Sequence, residues 1–170
     1  VTGGYYGIKI DGGEGADKGM NNGVIIDHCI VHDVGYDGIK VTPNADDIVI
    51  VENEVYFTGR EGTNAQGIDS VNTDRIRISR NNVHDTVADG IMTKGGSIGA
   101  IVDNNTVANS GTGGEGNGIL VGAPGTDASC FDEAVNPAYN ECIGCIVRDN
   151  TIDGTPNASI SVYGSLNTRL

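Results

Sequence analysis

Tryptophan is absent from this 170-residue sequence and all aromatics together make up 5%, so no core built on large rings is available. Any core must be aliphatic and thin. Basic residues are scarce as well: ten Lys and Arg stand against 23 Asp and Glu, a formal net charge of −13. That balance disfavours a nucleic-acid phosphate backbone or an anionic membrane surface as partner, and suits cation binding or plain solubility. No apolar run approaches the ~18 residues that a membrane helix needs, and no signal peptide is read at the start. With Val1 where a Met would stand, the sequence reads as a processed or excised piece. The four cysteines, Cys29, Cys130, Cys142 and Cys145, offer no pair of CxxC motifs, which tells against a zinc site. A glycine-rich phosphate loop, a GxSxG elbow and an HExxH helix are also missing.

What the sequence does have is a repeat. VIIDHCIVHD begins at Val24, IVIVENEVYF at Ile48, IRISRNNVHD at Ile76, AIVDNNTVAN at Ala100 and CIVRDNTIDG at Cys145. A second half, Gly-Ile followed by two or three more residues, recurs from Gly7, Gly38, Gly67, Gly90 and Gly118, with a degenerate form from Ser159. The first-half copies are 24, 28, 24 and 45 residues apart, so a unit of 24 with additions of 4 and 21 accounts for every interval. The smaller addition falls near Gly59 to Gln66 and the larger takes in the loop 123–143. Period-two alternation, β-branched apolar positions and Asn or Gly at the bends make each unit a set of short strands. A unit of that size cannot bury its own apolar side, but stacked units can.

Alignment of the copies predicts aliphatic ladders at the ~4.8 Å strand spacing. One column holds Ile26, Ile50, Ile78, Val102 and Val147. Another holds Val31, Val55, Val83, Val107 and Ile152, and a third Ile8, Ile39, Ile68, Ile91, Ile119 and Ile160. A polar column of Cys29, Asn53, Asn81, Asn105 and Asn150 is expected at a tight bend, where Asn accepts a left-handed backbone and its amide bonds to the next coil. Cys29 and Cys145 both read as buried thiols.

With its IxIxxNxV repeats and Gly-Ile strands, the sequence resembles the right-handed parallel β-helix family of pectate-lyase-like and other polysaccharide-lyase-like proteins. The expected fold is all-β: a right-handed, single-stranded parallel β-helix solenoid of about six coils, ~24 residues per coil, with insertions at turns. Residues 1–170 form one domain, expected to be a segment of a longer solenoid whose uncapped ends allow end-to-end self-association. Counting outward-facing positions from each Gly-Ile strand brings Asp37, Lys40, Asp69, Asp89 and Lys94 onto three consecutive coils. Polysaccharide lyases of this fold neutralise a uronate carboxylate, usually with calcium, and remove the C5 proton with a Lys or Arg base. The resemblance therefore implies Asp37, Asp69 and Asp89 as calcium ligands and Lys94, or Lys40, as base. Ordinary cross-strand charge pairing explains the same residues equally well.

His32, Tyr56 and His84 form a second row, suited to stacking on sugar rings; each His is followed by Asp33 or Asp85, so the pairs can equally close a turn. Within the long insertion, Cys130 and Cys142 are candidates for a disulfide. The functional expectation is an extracellular carbohydrate-active protein performing calcium-assisted β-elimination on an acidic polysaccharide. Its alternative is a non-catalytic glycan-binding, adhesin or surface-filament β-helix segment.

Overall fold

In the computed structural model, which describes residues 1–13, 18–19 and 21–170, parallel strands dominate and the sole helical turn among the described residues is a 3-10 turn at Ala128–Cys130. The polar loop read between Asp11 and Asn22 includes Glu14 to Asp17 and Met20, which lie outside the described residues. Three parallel sheets run the length of the coil. The first stacks β1 (Ile8–Ile10), β4 (Ile39–Val41), β7 (Ile68–Val71), β10 (Ile91–Lys94), β14 (Ile119–Val121) and β18 (Ile160–Val162). The second stacks β2 (Ile25–Asp27), β5 (Val49–Val51), β8 (Arg77–Ser79), β12 (Ile101–Asp103) and β16 (Ile146–Arg148). The third stacks β3 (Ile30–His32), β6 (Glu54–Tyr56), β9 (Asn82–Thr86), β13 (Thr106–Ser110) and β17 (Thr151–Asp153). A short pair, β11 (Ser97–Ile98) with β15 (Cys142–Ile143), sits at one corner. Each strand neighbours its equivalent one coil away, as a solenoid requires.

The registers place the expected columns directly over one another. Ile26 pairs with Ile50, Ile50 with Ile78, Ile78 with Val102, and Val102 with Val147. Ile8, Ile39, Ile68, Ile91, Ile119 and Ile160 form one unbroken ladder in the first sheet. These inward residues, with Val31, Val55, Val83 and Val107, make up a single aliphatic core. The glycine before each first-sheet Ile except Ile160, which follows Ser159, is required by close approach: a Cβ on Gly67 would run into Val83 and the Gly90 carbonyl.

The asparagine column is a hydrogen-bonded ladder. Asn81 Oδ1 accepts from the Asn53 backbone N–H and from Asn53 Nδ2, each at 3.0 Å, and Asn105 and Asn150 repeat the arrangement. The left-handed backbone, however, belongs to the residue before each ladder position: His28, Glu52, Arg80, Asn104 and Asp149 have φ between 50° and 57°. The ladder asparagines are thus selected for their amides, not for the bend. Cys29, at the end of that ladder, is only half-buried, with its thiol on the Asp27 carbonyl, whereas Cys145 lies in the core as expected.

Candidate functional site

The outer face of the first sheet gathers the lysine side chains. All four lysines lie on it or border it: Lys9 on β1, Lys40 on β4, Lys94 on β10, and Lys18 at the rim of a groove shared with Lys9. Lys9 and Lys40 pair with acids on that face, whereas five of the six arginines pair with acids elsewhere, as in Arg75–Asp47, Arg80–Glu52, and Arg77 and Arg148 on Asp103.

Lys40 and Asp69 are cross-strand partners, and their side chains form an ion pair. Asp37, wholly buried in the turn before β4, approaches the same Nζ at 3.6 Å while its Oδ1 accepts from the Gln66 N–H. Two buried carboxylates therefore share one ammonium. Burial, and then the Asp69 carboxylate beside it, pushes Asp37 up to about 7. Burial works against the Lys40 charge, but Asp69 and Asp37 outweigh it and hold that amine above the ordinary lysine value. Lys40 is thus an ammonium that neutralises charge rather than a poised base.

Tyr6 and Tyr36 adjoin this group. Burial, then the Asp37 charge, raises both phenols, so they stay protonated. Neither was among the expected site residues, although Tyr6 stands one coil below Asp37 in the position preceding each Gly-Ile strand.

Lys94 extends β10 beside Val71 and pairs with no carboxylate among the described residues. It lines an open groove of about 550 Å³ whose walls include Asn64, Gln66, Asp89, Asn117 and Leu120. Asp89 is committed to the coil above, its Oδ1 accepting from Asn117 N at 2.8 Å and Nδ2 at 2.7 Å.

The expected calcium triad does not fit these positions. Lys40 Nζ occupies the space between Asp37 and Asp69, Asp89 is engaged by Asn117, and no group of three acidic, His or Cys side chains among the described residues can enclose a metal.

His32, Tyr56 and His84 lie in the third sheet, away from the lysines, and stack on one another with centroids 5.0 and 4.8 Å apart. Both faces of Tyr56 are taken, which leaves its edge for a ligand. Each His Nδ1 meets the following Asp, at 2.7 Å for Asp33 and 2.8 Å for Asp85, and both Asp residues have left-handed backbones at the bend. The turn-closing reading of these pairs accounts for the geometry.

The long insertion folds back over the first sheet. Met92 and Leu120 pack under Ala123, while Ser129 and Cys130 reach the groove of about 500 Å³ formed with Lys9, Asp11, Lys18 and Thr42. Glu141 anchors the return, its Oε2 accepting from Gly95 N and Thr126 Oγ1. Cys130 thus sits outside the coil wall and Cys142 inside it, so the expected bridge between them is not formed; all four cysteines are free thiols.

The right handed beta helix region family matches residues 1–130. The chain belongs to this family. No curated protein sequence matches it. Among solved structures, an alginate lyase from Paenibacillus sp. str. FPU-7 is similar with a TM-score of 0.61 and 19% identity over 82% of this chain. That alignment takes in 46% of the lyase, so the chain spans about half of its length. A likeness at this identity establishes the shared coil; the roles of individual side chains rest on the geometry above.

Proposed function

We propose that this β-helix acts on an acidic polysaccharide along the outer face of its first sheet, cleaving it by β-elimination. The observation that carries the reading is the gathering of all four lysines on and around one face, with Lys94 unpaired among the described residues in an open groove. In this scheme Lys94 Nζ, desolvated when a sugar ring closes the groove, takes the C5 proton. The phenols of Tyr6 and Tyr36, held protonated beside the Asp37–Lys40–Asp69 group, supply donors for a uronate farther along the polysaccharide. No step is routed through calcium, because the acidic side chains present do not form its cage. On this reading the protein works outside the cell, where such a polymer is met.

Incubation with pectate, alginate and glycosaminoglycans should produce the ultraviolet absorbance of an unsaturated uronate, and Lys94→Ala should lower the rate at least 100-fold, on the order of a lost general base. An unchanged rate in Lys94→Ala removes the assignment of the base.

The amides of Asn64, Gln66, Asn117 and Asn157 around Lys94 favour a second reading, glycan binding without turnover. Retention on immobilised polysaccharide with no unsaturated product across the same panel would select it.

A further inference from the structure

The chain carries a second feature that neither the lysine face nor the repeat requires: Cys142-Ile143-Gly144-Cys145, at the corner where the insertion rejoins the coil. Cys142 ends the insertion in β15, over Ser97 of β11, and Cys145 stands three residues on, just before β16. Both side chains point into the aliphatic core and are at most 1% exposed. Between them Gly144 has φ 64° with nothing within 4 Å of the position a Cβ would take, the tight left-handed bend that turns the two residues inward together. We infer that Cys142 and Cys145 are a disulfide-forming pair, a redox modification site that staples the base of the insertion to the coil.

Each thiol is the largest electrostatic influence on the other, raising Cys142 and lowering Cys145. Cys142 donates to the Thr93 carbonyl at 3.3 Å. The lowered partner is the better nucleophile at neutral pH. With a low-molecular-weight disulfide such as oxidised glutathione, the Cys145 thiolate attacks one sulfur and expels one glutathione thiolate. Cys142, losing its proton, then attacks the Cys145 sulfur of the mixed disulfide and expels the second. Two protein thiols are oxidised to one S–S bond while one small disulfide is reduced to two thiols. Access needs the local opening of β15, a two-residue strand held by the two-residue β11 on one side and by a lone bridge from Ile143 to Leu166, four residues from the end of the sequence, on the other.

The proposal is independent of any lyase activity. Its consequence lies next door: Glu141, adjacent to Cys142, holds Gly95 and Thr126 and so anchors the insertion that roofs the sheet.

The test treats the native protein with oxidised glutathione, unfolds it in the presence of an alkylating reagent, and digests it with trypsin and a glutamate-specific protease, which release residues 142–148. The expected product is that peptide unalkylated and lighter by two hydrogens, with Cys29 and Cys130 alkylated. The oxidised protein should also melt a few degrees above the reduced one. Cys130→Ser should leave the bridge intact, and Cys145→Ser should leave Cys142 alkylated. Alkylation of all four cysteines after oxidation, or a bridge that includes Cys130, overturns the inference; because that readout is taken on the unaltered chain, poor folding of Cys145→Ser does not affect it.

Discussion

Asp37 shows how a single side chain can be read in two ways until its surroundings are known. Counting from the Gly-Ile strands placed it correctly beside Lys40 and Asp69, but a carboxylate in that row could equally hold a cation or pair with a lysine. Depth decides the matter. At 0% exposure, with Oδ2 left without a hydrogen-bond partner, Asp37 carries a proton up to about pH 7, far above its ordinary value of 3.8. A group whose folded value lies above its unfolded one binds more protons in the folded state, so its contribution is full below about pH 4 and is lost as the pH rises through 7. Asp37→Asn keeps an acceptor for the Gln66 N–H and removes the titration. The variant should therefore gain on the order of 2–4 kcal/mol over the parent between pH 5 and pH 8. Urea melts at the two pH values check this, and parallel pH profiles for the two proteins would show that Asp37 is not buried with its proton.

Among the elements, the ladders were legible because a parallel in-register coil turns sequence spacing into spatial stacking. One residue of misalignment would have reversed every face. The bend was read less well. Asn was assigned the left-handed backbone because it tolerates it, yet Arg80 and Glu52 occupy that conformation beside it. Periodicity marks the column but does not separate neighbouring roles within a turn. The distinction has a measurable consequence, since Asn81 Oδ1 is the common acceptor for two donors of Asn53 while its own Nδ2 donates to the Ile50 carbonyl. Asn81→Ala leaves those buried groups unpaired and should destabilise the protein by about 2–4 kcal/mol, read as a lowered urea midpoint. Were the column needed only for its bend, the same variant would unfold within ~0.5 kcal/mol of the parent.

For the whole molecule, the two things hidden in the sequence were both long-range. The insertion returns across the first sheet to reach Lys9 and Lys18, which no repeat alignment can place, and the thiol it carries there faces away from the one expected to bond it. The separation of lysines from arginines was likewise invisible until the coil was closed. For the proposed substrate it sets up an electrostatic conflict: a chain of net charge −13 would receive a polyanion on its one lysine-rich face. At low salt the distant carboxylates repel such a substrate before the lysines can engage it. Screening at about 0.1 M shortens the reach of charge to ~10 Å, which suppresses that repulsion more than contacts inside the grooves. Association with a polyuronate should therefore speed up severalfold between 10 mM and 100 mM salt, the reverse of the usual fall for a basic binding protein. Stopped-flow or surface-based rates over that range decide it: a steady decrease from the lowest salt would mean that the lysine face dominates the long-range field, and a flat profile that the ligand carries no charge.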